Sequence, residues 1–137
     1  LLRETVDLCR LLDVEVVATD VGSPAGIYIY GLPGLFGSRH NGGPRRSMLD
    51  EAIRMYEEVM APLGEYAESQ GVKIAFENNF RAMAGNIAQG PYVWDRMFNA
   101  VSSKALGLRM DPSHFICLGI SPVDSIIRKY TSDGKTR

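Results

Sequence analysis

Two acids and a histidine follow two apolar segments of this chain and could together bind a cation. The first segment, Val72–Phe76, is closed by Glu77, and the second, residues 105–110, runs into Asp111-Pro-Ser-His114. Carboxylate oxygens and imidazole nitrogens are the usual protein ligands of divalent cations such as Mg²⁺, Mn²⁺ and Zn²⁺. If both segments are parallel strands of one sheet, their carboxyl ends lie at one edge and these side chains converge there. The sequence therefore predicts the site of a metal-dependent enzyme.

Each of these residues also has a structural interpretation. A buried Glu77 carboxylate would be costly unless it were paired or metal-bound, but it could equally accept hydrogen bonds from the next turn. Asp111 could be the N-cap of a helix, and His114 could be an ordinary packed side chain. Asn78 could orient Glu77, donate to a substrate hydroxyl, or form a local Asx turn. The combination of acids and histidine at successive strand ends is what favours a site.

The elements that would position these residues alternate along the chain. Apolar residues at helical spacing predict four helices in the order α-β-α-β-α-β-α, which is typical of a parallel sheet with right-handed crossovers. Ser47 and Ser121 each begin a capping-box pattern, and Gly71 is expected to end the second helix in a left-handed conformation. Short apolar, partly β-branched runs predict three buried strands, at residues 14–20, 72–76 and 105–110.

Length and composition are those of an ordinary globular domain. The chain has 137 residues and a net charge of −1, so bulk attraction to nucleic acid or to an anionic membrane is not expected. No apolar run approaches the roughly 20 residues that span a bilayer, and no signal peptide is expected. Cys9 and Cys117 are far apart in sequence. We therefore expect reduced, buried thiols and a cytoplasmic protein.

Four stretches resemble the sugar phosphate isomerase/epimerase family of the xylose isomerase-like TIM barrel superfamily, which also contains endonuclease IV. They are Ile74-Ala-Phe-Glu-Asn78, Gly85-Asn-Ile87, Leu106-Gly-Leu-Arg-Met-Asp-Pro-Ser-His114 and Gly119-Ile-Ser-Pro122. The resemblance implies an α/β fold, a partial (β/α)₈ TIM barrel. Because a whole barrel takes about 250 residues, residues 1–137 are expected to form a single domain of about half a barrel, incomplete at both ends.

The same resemblance implies a function and a set of site residues. Glu77 and Asp111 would be ligands of one divalent metal, Mn, Mg, Co or Zn. Glu77 and His114 would be catalytic, and His114 and Asn78 would contact a small carbohydrate substrate. The implied reaction is isomerisation or epimerisation of a sugar, sugar phosphate or sugar acid by proton transfer through a cis-enediolate. A further His and Glu ligand come from later strands in the family and have no match in this chain, and a homo-oligomer is compatible with the fold.

Other functions stay open at this point. An endonuclease IV-like phosphodiesterase would need additional histidines on early strands, where this chain has Thr19-Asp20. A dehydratase for an inositol-type or shikimate-type substrate is close to the isomerase chemistry. An inactive half-barrel module is the third alternative, since three strands cannot close a barrel and leave an open edge. A Gly-rich loop could hold an anionic group, although a solvated basic patch is more typical; its basic residues are Arg39, His40, Arg45 and Arg46.

Overall fold

The computed structural model describes residues 1–22, 46–79 and 86–135, and for residues 46–48 it describes the backbone only. The predicted alternation of helices and strands is confirmed, and one short helix, α4, is added to it. The predicted basic residues Arg39, His40 and Arg45 lie outside the described residues. The elements are α1 (Leu2–Leu11), β1 (Val16–Thr19), α2 (Arg46–Gln70), β2 (Lys73–Glu77), α3 (Pro91–Ala100), β3 (Leu106–Arg109), α4 (Pro112–Cys117) and α5 (Val123–Ser132).

The three strands form one parallel sheet in the order β1-β2-β3. The register places three small residues side by side, with Ala18 opposite Ala75 and Ala75 opposite Gly107. Two residues further along, Glu77 lies opposite Arg109. Because side chains alternate between the two faces of a strand, Glu77 and Arg109 lie on the same face as the small residues. The other face carries fully buried side chains from β2 and β3: Ile74, Phe76, Leu106 and Leu108.

That apolar face and the helices around it form the hydrophobic core. Phe76 of β2 meets Tyr56 of α2 edge to face, with ring centroids 6.0 Å apart. Trp94 of α3 makes the same kind of contact with Phe115 of α4 at 5.6 Å and with Tyr130 of α5 at 5.0 Å. Aromatic pairs in this arrangement are favourable beyond the area they bury. The cluster therefore fixes α4, which carries His114, to its neighbouring helices.

Helix α2 approaches the segment before β3 most closely at Gly64. A Cβ atom at this position would lie 2.9 Å from Ser103 Oγ and 3.0 Å from Ser103 Cβ, so any larger residue would force Ser103 to shift. The Ser103 hydroxyl donates to Glu68 Oε1 at 2.7 Å and accepts from the Ala105 amide at 3.1 Å, and the Lys104 amide also donates to Glu68 Oε1, at 2.6 Å. These hydrogen bonds lower the pKa of Glu68, and the bond from the Ser103 hydroxyl contributes most.

The two predicted capping boxes are wrong, whereas the predicted end of α2 at Gly71 is confirmed. Helix α2 begins at Arg46, so Ser47 lies inside it, and Asp50 accepts from an arginine of α3 instead of reaching back. Helix α5 has Pro122 as its N-cap, and a proline side chain cannot accept a hydrogen bond, so Ser121 does not begin a capping box. Asp124 accepts from Arg128 one helical turn later at 2.9 Å. As predicted, Gly71 has a φ of +70° directly after α2. Pro91 is the first residue of α3.

Two predictions of burial are also wrong. Strand β1, at one edge of the sheet, alternates between exposed and half-buried residues and is not the buried strand that its sequence predicts. Cys117 is exposed and Cys9 half-buried. Cys117 is the last residue of a six-residue helix in which Phe115 takes the buried position. None of the described helices combines the length and the apolar character needed to cross a bilayer.

Candidate functional site

The carboxyl ends of β2 and β3 bring Glu77, Asp111 and His114 together. Glu77 is the last residue of β2, Asp111 follows β3, and His114 lies in the first turn of α4. One ligand atom from each residue lies within 4.8 Å of those from the other two. Ligands that hold one cation at about 2.0–2.5 Å can be at most about 5 Å apart, so the spacing and the donor types suit a single divalent ion. The parallel sheet thus produces the convergence expected from the sequence.

Asp111 has a structural role in addition to its place in this triad. It is the N-cap of α4, and its Oδ1 accepts from the Ser113 amide at 2.8 Å. Hydrogen bonding from the Ser113 side chain, followed by that from its amide, holds the pKa of Asp111 below its usual range, so this carboxyl is ionised at neutral pH. Its other oxygen, Oδ2, lies 3.8 Å from His114 Nε2. The cap therefore uses one oxygen and leaves the other directed at the triad.

The ring of His114 is held by a backbone carbonyl. Its Nδ1 lies 3.2 Å from the carbonyl oxygen of Asn78. A carbonyl can only accept, so Nδ1 is the protonated nitrogen, and in the neutral ring Nε2 carries the lone pair. The same arrangement is used by histidines that bind metals through Nε2. At 17% exposure the side chain is largely enclosed but can still be reached from the site.

Asn78 is fully buried and connects the two strand ends. Its Nδ2 donates to the Asp111 carbonyl at 3.0 Å, and its Oδ1 accepts from the Asp111 amide at 2.7 Å. The amide group is thus used across the sheet, between residues 33 positions apart in the sequence. Contact of Asn78 with a substrate stays a prediction.

Residues 1–132 match the family model of the xylose isomerase-like TIM barrel. The chain belongs to this family. A solved structure from Anabaena variabilis, assigned provisionally as a sugar phosphate isomerase/epimerase, superimposes on 99% of this chain with a TM-score of 0.64 and 22% identity. This chain covers 41% of that protein's chain. No curated protein matches the sequence. The predicted fold class, a partial α/β barrel, is confirmed.

In this xylose isomerase-like barrel, Asp20 is a site residue that the sequence analysis did not select. Asp20 is the first residue after β1, and Asp111 is the second residue after β3, so the two acids have similar places at their strand ends. Burial raises the pKa of Asp20, the negative charge of Glu77 raises it further, and His114 opposes the change. Asp20 Oδ1 lies 3.4 Å from Asn86 Nδ2, and the same nitrogen donates to the Glu77 carbonyl, so Asp20 lies beside the end of β2. The same strand-end rule that selected Glu77 would have found it.

Asn86 is the second residue that was missed, although it belongs to one of the stretches that carried the family resemblance. It is 2% exposed, and its Nδ2 donates to the carbonyls of Glu77 at 2.8 Å and Asn79 at 3.0 Å. The same nitrogen lies 3.4 Å from Asp20 Oδ1, and Asn86 Oδ1 accepts from the Ala88 amide at 3.1 Å. Asn86 therefore joins the end of β1, the end of β2 and the segment that leads to α3.

Arg109 supplies a positive charge beside Glu77. Its Nη1 lies 3.2 Å from Glu77 Oε2, on the face that carries the small residues of the sheet. The arginine side chain is 61% exposed and that of Glu77 is 26% exposed. Ion pairs as open to solvent as this one contribute little to stability, so the pair serves mainly to place charge at the site.

Proposed function

We propose that this protein is a divalent-metal-dependent isomerase or epimerase that acts on a sugar, a sugar phosphate or a sugar acid. The observation that supports this proposal is the triad of Glu77, Asp111 and His114, with ligand atoms within 4.8 Å of one another at adjacent strand ends of a xylose isomerase-like barrel. Active sites of such barrels lie at the carboxyl ends of the strands. The donor set is therefore in the position where this fold carries out its chemistry.

Glu77 and Asp111 are the proposed metal ligands, and the ion is Mn, Mg, Co or Zn. An oxygen-rich set with one imidazole nearby is acceptable to all four ions, so the residues fit the cofactor without selecting one. When bound, the ion polarises a carbonyl and an adjacent hydroxyl of the substrate. We expect the remaining His and Glu ligands of the family pattern from other strands of the barrel.

Glu77 and His114 are the proposed catalytic residues. The carboxylate of Glu77 removes a proton from the carbon next to the substrate carbonyl, and a cis-enediolate results. A second Glu, which the family pattern supplies from another strand, returns a proton: return to the opposite face gives an epimer, and return to the neighbouring carbon gives an isomer. His114 holds a substrate hydroxyl through Nε2, because Nδ1 is engaged by the Asn78 carbonyl. Asn78 is the other predicted substrate contact.

Exchange of substrate hydrogen with solvent tests this chemistry most directly. The protein, loaded in turn with Mn²⁺, Mg²⁺, Co²⁺ or Zn²⁺, is incubated in D₂O with panels of neutral sugars, sugar phosphates and sugar acids. A proton transfer through an enediolate should introduce deuterium at the carbon beside the carbonyl, detected by NMR and mass spectrometry. The panel that exchanges fastest identifies the substrate class.

Glu77→Gln should reduce this exchange at least 100-fold, since general acid–base groups contribute about 10²–10⁴-fold. The matched control is Glu65→Gln, which changes an exposed glutamate of α2. Absence of exchange with every panel and every ion would refute the proposal. Cleavage of DNA at abasic sites in a parallel assay would instead support the phosphodiesterase alternative.

A further inference from the structure

We infer that Asn78 is a positioning residue that sets both Asp111 and His114 in their cation-binding form before a cation arrives. The inference rests on the proposed function, because it assigns Asn78 a role towards the same cation. It goes further by naming the group that prearranges the ligands. Three contacts from one fully buried residue support it.

The side chain of Asn78 adds one rung to the ladder between β2 and β3. The last residue pair of that ladder is Glu77 with Arg109. Beyond it, the Asn78 amide group both donates to the Asp111 carbonyl and accepts from the Asp111 amide, at 3.0 and 2.7 Å. A carboxamide has the same donor and acceptor as a peptide group, so it can replace one. The Asp111 backbone is thereby fixed at the point where β3 gives way to α4.

The main chain of Asn78 fixes the second ligand. Its carbonyl oxygen lies 3.2 Å from His114 Nδ1, and it therefore selects the ring tautomer with the lone pair on Nε2. A single residue thus controls the path of the backbone at Asp111 and the tautomer of His114. A side chain that only filled space would leave the carbonyl contact to His114 but would not fix the backbone at Asp111.

Asn86 keeps Asn78 itself in place. It donates to the carbonyls of the residues on both sides of Asn78, at 2.8 Å to Glu77 and 3.0 Å to Asn79. Because the backbone is held on either side, the Asn78 carbonyl cannot turn away from His114 without breaking these bonds. The two asparagines together make the ligand geometry a property of the fold.

The first test uses the unmodified, metal-free protein and is independent of activity. The chain has two histidines, so ¹⁵N spectra of the imidazole rings can be assigned with a His40→Gln variant. At a pH where the ring is neutral, we expect His114 to carry its proton on Nδ1 and the Asp111 amide to exchange slowly with solvent. A predominant Nε2–H tautomer, or fast exchange of that amide, would overturn the inference.

The second test measures Mn²⁺ affinity by calorimetry in Asn78→Ala and in Asn78→Leu, which keeps the volume but not the hydrogen bonds. Loss of a group that orients a metal ligand costs about 10–100-fold in affinity, and we expect a decrease in this range together with faster exchange of the Asp111 amide, whereas the retained main-chain carbonyl should keep the His114 tautomer. Asn99→Ala, at an exposed position of α3, is the matched control. The single tryptophan, Trp94, reports by fluorescence whether each variant is folded.

The outcomes separate this inference from the proposed function. Folded Asn78 variants with unchanged Mn²⁺ affinity and an unchanged exchange rate of the Asp111 amide would overturn the positioning role and leave the metal site in place. Failure of the unmodified protein to bind Mn²⁺ would contradict the proposed function, and the tautomer and exchange data would still decide what Asn78 positions. If neither variant folds, the measurements on the unmodified protein decide the inference.

Discussion

Gly64→Ala tests how closely α2 must approach β3, the strand that leads to Asp111. Alanine is more favourable than glycine in a helix by about 1 kcal/mol, so helix propensity alone predicts a more stable protein. The added Cβ atom, however, would lie 2.9 Å from Ser103 Oγ and 3.0 Å from Ser103 Cβ. Packed carbon and oxygen atoms do not come this close, so Ser103 would have to move. The clash therefore lowers stability, whereas the higher helix propensity of alanine raises it.

The contacts of Ser103 decide which effect is larger. Its hydroxyl is held by hydrogen bonds to Glu68 and to the Ala105 amide, so it cannot rotate away without breaking them. Inserting a methyl group into packed structure costs about 1–3 kcal/mol. After the gain in propensity is subtracted, we expect the free energy of unfolding to fall by about 1 kcal/mol.

Urea unfolding followed by the fluorescence of Trp94 measures this change. The change should appear in the midpoint, with the dependence on urea concentration unaltered. In a Ser103→Gly background the same substitution should be much less harmful, because the atoms that clash are removed, and the double-mutant cycle isolates their interaction. A Gly64→Ala protein about 1 kcal/mol more stable than the parent would refute the reasoning, since it would mean that propensity acts without a clash.

Two further predictions concern the supports of the site. Glu68→Gln should lower the stability of the protein at neutral pH and make stability depend less on pH in acid. A carboxyl group with a lowered pKa stabilises the fold above its ordinary pKa of 4.5, and this contribution is lost as the pH falls through the lowered pKa. Unfolding midpoints at a series of pH values check this prediction, and parallel curves for parent and variant would contradict it. Phe115→Leu should lower the free energy of unfolding by about 1–2 kcal/mol because the edge-to-face contact with Trp94 is lost. It should also weaken Mn²⁺ binding, because His114 is next to residue 115 on α4. An unchanged free energy of unfolding and an unchanged Mn²⁺ affinity would show that the aromatic cluster does not hold α4.

The main features of the site could be predicted because they follow from local pattern. The alternation of helix and strand signals implies a parallel sheet, and parallel strands place their carboxyl ends together. Glu77 and Asp111 therefore had to lie near each other whatever the detailed packing. The glycine at position 71 acted through its own backbone preference, which depends little on tertiary context.

The interactions that fix the site depend on details that no local pattern contains. Asn78 reaches Asp111 only in the observed register of β2 and β3, and a shift of one residue would turn its side chain to the other face. Asn86 acts through the course of the segment that leads to α3. The capping boxes failed for a similar reason, because Asp50 and Asp124 found arginine partners that the short motifs do not include.

The structural and functional interpretations of these residues are compatible, because the cap of α4 and the contact with Asn78 use Asp111 Oδ1 and His114 Nδ1, and the other polar atom of each side chain faces the triad. Asp111 caps α4 with Oδ1, and His114 contacts the Asn78 carbonyl through Nδ1. The remaining atoms of the two residues, Oδ2 and Nε2, lie 3.8 Å apart. A capping or packing bond therefore does not compete with cation binding. It removes the rotational freedom that binding would otherwise have to remove, which is the advantage of building a site from residues that also hold the fold together.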